Sequence, residues 1–275
     1  MRPYIIISPR NLIPHPLYRQ RSAGVRVLDK LSELLIAKGI ETYIVNSDVP
    51  ADDKVKELLT RDAIVVGHEF IKENYYSART FVSYILGEWD IDQNNIPNTA
   101  VKFFYLLKFA TDKYCVTAKE IWKLHLDIMD YSIFNTENIG ERTLNICYRG
   151  KGQPAMLDAL KLENKVYITN DYPKERIEVA ELLKKAKYLW TCDACTCLAS
   201  EARLCGTPVI FVPNFRFKER DLLRLCSNIG MASNMSGNEI NRAEATISQF
   251  KEFHTKTYAD QDHDLERFIK VTQEL

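Results

Sequence analysis

The sequence predicts an α/β protein built from two successive units of parallel sheet. Three observations carry that expectation. Short runs rich in β-branched and aromatic residues, such as Tyr4 to Ser8 and Leu144 to Tyr148, alternate with longer amphipathic stretches. The alternation runs from Tyr4 to Val66 and resumes from Leu144 to Val212. The chain of 275 residues is long for one core and sufficient for two modest ones.

In the first unit, Tyr4 to Ser8 reads as a buried strand. A loop rich in Pro and Arg leads to a helix from about Gly24 to Lys38. Val27, Leu28, Leu31, Leu34 and Leu35 form its apolar stripe, Ser22 is placed to cap its start and Gly39 to end it. A strand at Thr42 to Val45, a helix over Asp52 to Leu59 and a strand at Ala63 to Val66 follow. Residues 75–86 read as helical and 92–98 as a turn, while Val101 to Phe109 fits strand or helix. The second unit reads more plainly. Strand Leu144 to Tyr148 is followed by the loop "RGKGQ", a helix near Ala155 to Leu162 and a strand Val166 to Thr169. Then come a helix from Lys174 to Ala186, a strand Tyr188 to Thr191, a helix carrying Glu201 and a strand Val209 to Val212. Strands joined by helical crossovers make each unit Rossmann-like, with ligands expected at the carboxyl ends of the strands. The expected division is residues 1–135 and 136–250, with a charged amphipathic helix in 251–275 packing back on the first unit.

Lys plus Arg and Asp plus Glu both number 37, so no net field favours nucleic acid or an acidic membrane. No apolar run approaches the roughly 20 residues that span a bilayer, and the apolar stretch near the start is too short for a secretory signal. A cytoplasmic location is expected, with no transmembrane segment. Seven cysteines suit reduced thiols better than a disulfide framework. Cys192, Cys195, Cys197 and Cys205 crowd one segment, but the second ligand pair of a structural zinc site is missing, so no metal is expected.

The candidate chemistry sits in two loops of the second unit. Arg149, Gly150 and Lys151, just before a helix, offer two cations and a loop whose amides approach an anion, suited to a phosphate or diphosphate. In "TCDACTCLASEARLCG", Thr196 is placed to cap a helix, so that amides at Cys197 and beyond face the same region. Glu201, further into that helix, is suited to a ribose diol; pairing with a neighbouring basic side chain is equally consistent with the spacing.

The stretch from Asp193 to Ile210 resembles the E-x7-E region of GT-B glycosyltransferases, with Asp193 and Glu201 at the two acidic positions and "CGTPVI" as the turn that follows. "SAGVRVLDKLSELLIAKGIETYIV" resembles the glycine loop, first helix and second strand of that fold. The resemblance implies two Rossmann-like domains facing a central cleft, a nucleotide-sugar donor, and a glycan or lipid-linked acceptor in polysaccharide biosynthesis. It implies that Arg149, Gly150, Lys151, Thr196, Cys197 and Glu201 bind the donor, with Asp193 on sugar hydroxyls or phosphate-side amides and no metal cofactor. Asp stands where the family has Glu, which shortens the reach of residue 193.

On the first unit, Ser22, Gly24 and Arg79 are candidates for an acceptor or cleft loop, Gly24 by permitting close backbone approach. His68 and Glu69 follow a strand and are the candidate acid/base groups, the histidine because it titrates near neutrality. An epimerase of nucleotide sugars, or a degenerate binding module of the same fold, are the competing functions.

Overall fold

The computed structural model describes residues 1–9, 22–47, 49–71, 73–87, 101–107, 122–150, 154–169, 172–194, 196–214, 218–219, 222 and 227–275. Its contacts divide the chain into two compact units, residues 1–128 with 258–275, and residues 129–257.

Unit 1 holds strands β1 (Tyr4–Ser8), β2 (Thr42–Asn46), β3 (Ile64–His68), β4 (Thr80–Ile85), β5 (Val101–Phe104) and β6 (Trp122–Lys123). They form one parallel sheet in the order β2-β1-β3-β4-β5-β6. Because side chains alternate along a strand, successive residues of β1 feed two cores. Tyr4 and Ile6 meet Leu28, Leu31 and Leu35 of helix α1 (Ala23–Ala37), while Ile5 and Ile7 meet Val55 and Leu58 of helix α2 (Asp53–Thr60). Each such aliphatic side chain taken out of water contributes about 2 kcal/mol. Ser22 caps α1 by accepting from the Val25 amide at 3.5 Å, and Asp52 caps α2 by accepting from Val55 at 2.8 Å.

The last helix of the chain, Gln261–Gln273, belongs to this unit. Its Leu265 and Phe268 enter the α1-side core, with the Phe268 ring edge-on to Phe103 at 4.8 Å. Arg2 binds it to the amino end of the sheet through the Gln273 side chain and the Thr272 carbonyl.

Unit 2 holds β7 (Leu144–Tyr148), α3 (Pro154–Asp158), β8 (Lys165–Ile168), α4 (Arg176–Lys184), β9 (Ala186–Thr191), α5 (Cys197–Leu204), β10 (Val209–Phe211), β11 (Met231–Ala232), α6 (Gly237–Thr246) and α7 (Phe250–Thr257), the final helix of unit 1 then being α8. The sheet is again parallel, in the order β11-β10-β9-β7-β8. The α/β class and the two Rossmann-like sheets are as the sequence predicts.

Three local expectations need correction. Residues 75–86 are not a helix: Thr80–Ile85 is a strand buried along its whole length. With both faces covered, apolar Phe81, Val82, Tyr84 and Ile85 do not alternate with exposed polar residues, so no period of two marks the strand. The helix expected to reach Leu162 stops at Asp158. The strand after α4 begins at Ala186, two residues before Tyr188. The turn expected at 92–98 lies outside the described residues.

Candidate functional site

Each sheet has a point where neighbouring strands send their connections in opposite directions, and ligands of open parallel sheets bind outside the carboxyl ends there. In unit 2 it lies between β7 and β9, because β8 is added beyond β7 while β10 and β11 are added beyond β9. The two loops that leave this point carry Arg149 with Gly150, and Cys192 to Thr196.

They meet closely. Gly150 has φ +51°, and a Cβ placed on it would lie 2.5 Å from Asp193 Oδ2, 2.6 Å from Asp193 Cβ and 2.8 Å from a Tyr148 ring carbon. Only glycine fits. Asp193 is buried, and its own amide donates to Thr191 Oγ1 at 3.1 Å. Asn214 ties the same loop to the end of β10 by donating to the carbonyls of Cys192 and Val212 at 2.8 and 3.3 Å. Thr196 caps α5, its Oγ1 accepting from the Leu198 amide at 3.2 Å, and partly buried Cys197 is the first helical residue. The amides at the start of α5 therefore open at the carboxyl edge of β9.

Glu201 is 5% exposed. Its Oε1 accepts from Arg176 Nη1 at 3.1 Å, and the Arg176 guanidinium lies 4.8 Å over the Phe134 ring. Arg149 leans the other way, its Nη2 3.0 Å from both carboxylate oxygens of Asp158 and its guanidinium 4.9 Å over Tyr167. The Tyr167 hydroxyl, 2.7 Å from Asp158, and then Arg149 hold that carboxyl below its ordinary value. The structure thus brings Gly150, Asp193 and the start of α5 together, while the charged ends of Arg149 and Glu201 each have an acid or base partner within the unit. Lys151 lies outside the described residues.

In unit 1 the corresponding point lies between β1 and β3, and His68 and Glu69 stand at it. His68 is buried, and burial pushes its pKa down from 6.5 to about 4. Its Nδ1 accepts from the Phe70 amide at 3.3 Å, so the ring hydrogen sits on Nε2, which donates to Ser47 Oγ at 3.2 Å. The expectation of a histidine titrating near neutrality is corrected: the ring is neutral at pH 7, and both nitrogens bind protein. Glu69 is also buried, with Oε2 accepting from the Leu86 amide at 3.1 Å.

Two further residues stand elsewhere than expected. Gly24 lies in the first turn of α1 rather than in a loop, and among the described residues a Cβ there would meet Leu86 Cδ1 at an ordinary 3.5 Å. Arg79 precedes β4, at the amino edge of the parallel sheet, where it is exposed and 3.5 Å from Asp62. That edge is opposite to the one carrying His68. Ser22 serves as the α1 cap.

Comparison with known proteins places the chain among remote likenesses. The chain is similar to the solved structure of the spinosyn rhamnosyltransferase SpnG at 10% identity, over 96% of this chain and 95% of that one, with a TM-score of 0.40. It is similar also to a solute-binding protein of an ABC transporter system from Conexibacter woesei at 13% identity, over 92% of this chain and 81% of that one, with a TM-score of 0.33. No protein-family model and no curated protein matches it.

The remaining chemistry is that of a buried interior. Among the described residues no group of three or more His, Cys, Asp or Glu could hold a metal ion. Cys147 and Cys205 are buried thiols, pushed up to about 11 and about 12 by desolvation; Cys195 lies outside the described residues. No described helix is long and apolar enough to cross a membrane. Sequence reasoning overlooked Asn214 and did not name Arg176 as the basic partner of Glu201. The sequence signal for the Arg176–Glu201 pair is that the two residues lie on consecutive helices that flank one strand.

Proposed function

We propose that the chain is a glycosyltransferase, with a nucleotide-sugar donor held by unit 2 and a glycan or lipid-linked acceptor held by unit 1, serving polysaccharide biosynthesis. One observation carries this reading: Gly150 and Asp193 approach closely at the switch point of unit 2, beside the Thr196-capped start of α5. Bare backbone and a helix start, which adds about half a positive charge, suit a diphosphate. Sugar transfer breaks the anomeric C–O bond and leaves the electron pair on the diphosphate, where the α5 amides and Arg149 stabilise it without needing a metal. The acceptor hydroxyl bonds to the anomeric carbon and gives its proton to a base. Glu69 is the group proposed for that role, with His68 holding the loop that presents it. Asp193 is proposed to act on the donor sugar or on phosphate-side amides, and Glu201 on the ribose. The reading carries a cytoplasmic location with at most peripheral membrane contact.

The test is a thermal-stability screen of ADP, GDP, UDP, dTDP and their sugars. Selective binding raises the melting temperature by mass action, and a tenfold excess over Kd contributes about 1.4 kcal/mol. A chain whose melting temperature no nucleotide moves is not a nucleotide-sugar enzyme. A binding module without turnover is the second reading, favoured because Arg149 and Glu201 already have ion-pair partners in unit 2. Selective binding with no transfer from labelled donor to any acceptor would establish it.

A further inference from the structure

Arg149 stands on the far side of β7 from the groups it would serve. The close approach of Gly150 and Asp193 lies between β7 and β9, whereas the Arg149 guanidinium lies over Tyr167 of β8, the strand on the other side of β7. Two groups hold it there. Its Nη2 donates to both carboxylate oxygens of Asp158 at 3.0 Å, and its central carbon is 4.9 Å from the centre of the Tyr167 ring. The Tyr167 hydroxyl donates to Asp158 Oδ1 at 2.7 Å and so fixes the carboxylate that Arg149 meets. Asp158 is the last residue of α3, and the Lys165 ammonium secures that helix end by donating to the carbonyls of Leu157, Asp158 and Leu160 at 2.9, 3.2 and 3.1 Å.

This hold is definite in direction and weak in energy. The Arg149 and Asp158 side chains keep 49% and 40% of their surface in water, and ion pairs so exposed stabilise little. Neighbouring strands are about 4.8 Å apart, so rotation about the side-chain torsions of Arg149 can carry its guanidinium back across β7. A diphosphate offers that planar fork more anionic oxygens than the single carboxylate does.

We propose that Asp158 is a positioning residue that holds Arg149 away from the diphosphate site in the unliganded chain, and that a bound diphosphate takes the guanidinium from it. This rests on the proposed function for the place of the diphosphate in unit 2; the exchange itself is tested with pyrophosphate alone. Its consequence is opposite to that of a structural ion pair. Neutralising Asp158 strengthens anion binding, and does so only while Arg149 is present.

The experiment uses the full chain and titration calorimetry, first with inorganic pyrophosphate and then with ADP, GDP, UDP, dTDP and their sugars. Asp158→Asn should bind pyrophosphate about twofold to fivefold more tightly than the parent, the range set by the strength of an exposed ion pair. Asp158→Glu, which keeps the charge, should bind as the parent does. Loss of a negative charge would by itself favour an anion, so the deciding comparison is made in Arg149→Gln, where adding Asp158→Asn should bring no gain. Lys151, in the same loop, lies outside the described residues; it is common to all these proteins, so its charge does not enter the comparison. Because both side chains of the pair are exposed, the variants should fold, and thermal melts check this. Equal or weaker binding by Asp158→Asn overturns the proposal. So does a gain that persists in Arg149→Gln, or a failure of parent and Asp158→Asn alike to bind pyrophosphate. If Asp158→Asn tightens pyrophosphate binding through Arg149 but no nucleotide or nucleotide sugar binds, the exchange stands and the glycosyltransferase reading falls.

Discussion

Glu201 and Arg176 form a partly buried ion pair across two helices that flank one strand. Glu201 Oε1 lies 3.1 Å from Arg176 Nη1, with side-chain exposures of 7% and 19%. The pair sets a condition on any ligand. A carboxylate already bound to a guanidinium grips a ribose only by sharing Arg176 or by turning away from it. Arg176, packed on Phe134, is itself held in place.

Removing either partner should have unequal effects. Arg176→Ala removes a charged hydrogen-bond partner from buried Glu201 and should lower stability by about 1 to 3 kcal/mol. Glu201→Gln keeps the shape and should cost less. Under the proposed function, Glu201→Ala should weaken nucleotide binding by about 1 to 3 kcal/mol. Chemical denaturation and calorimetry read the two quantities separately, and unchanged affinity in a folded variant removes Glu201 from the donor site.

Gly150→Ala should disturb the site more than the fold. The added methyl collides with Asp193 and Tyr148, and a positive φ costs a residue with a Cβ about 1 to 2 kcal/mol. The loop must move, carrying Arg149 with it. Unfolding should stay cooperative while nucleotide affinity falls about tenfold, measured by titration calorimetry. An alanine variant that binds as tightly as the parent separates this loop from the ligand.

The legible part of this sequence is its parallel-sheet periodicity. Tyr4–Ser8, Leu144–Tyr148 and the Thr196-capped helix are read correctly because one apolar run, one cap and one glycine each have a local physical cause. What fails is non-local. Thr80–Ile85 is covered on both faces by elements far away in the chain, so no local pattern marks it. Arg79 reads as a site residue only if the segment is a helix; in a strand it falls at the opposite edge. His68 is placed at the correct strand end, yet its lost basicity comes from burial, which its neighbours in sequence do not specify. The pairing of Glu201 was one of two open alternatives, and its partner is 25 positions away.

Arg203 offers a test of a buried cation with a structural role. Two residues beyond Glu201, it is 5% exposed, donates to the carbonyls of Ala199, Ser227 and Ile229 at 3.0 to 3.1 Å, and lies 3.9 Å over the Phe250 ring. It ties α5 to the segment before β11 and to α7. Arg203→Ala should destabilise unit 2 by about 3 kcal/mol through lost charge-assisted bonds and packing. Arg203→Lys should recover only part of this, since an ammonium cannot reproduce the planar fork. Thermal melts of both variants with the parent decide it.

His68 gives a stability prediction with a defined sign. Its folded pKa of about 4 lies below the ordinary 6.5, so between these values the unfolded chain binds a proton that the folded chain does not. The neutral ring's advantage is complete above about pH 6.5 and is lost as pH falls toward 4, an effect of about 3 kcal/mol by linkage. His68→Gln cannot titrate. The difference in unfolding free energy between parent and variant should therefore shift against the parent as the buffer is taken from pH 7 to pH 4.5. Parallel stability curves over that range would mean that the imidazole takes up its proton in the folded state as readily as in the unfolded one. His68 would then regain its place as a base that titrates near neutrality.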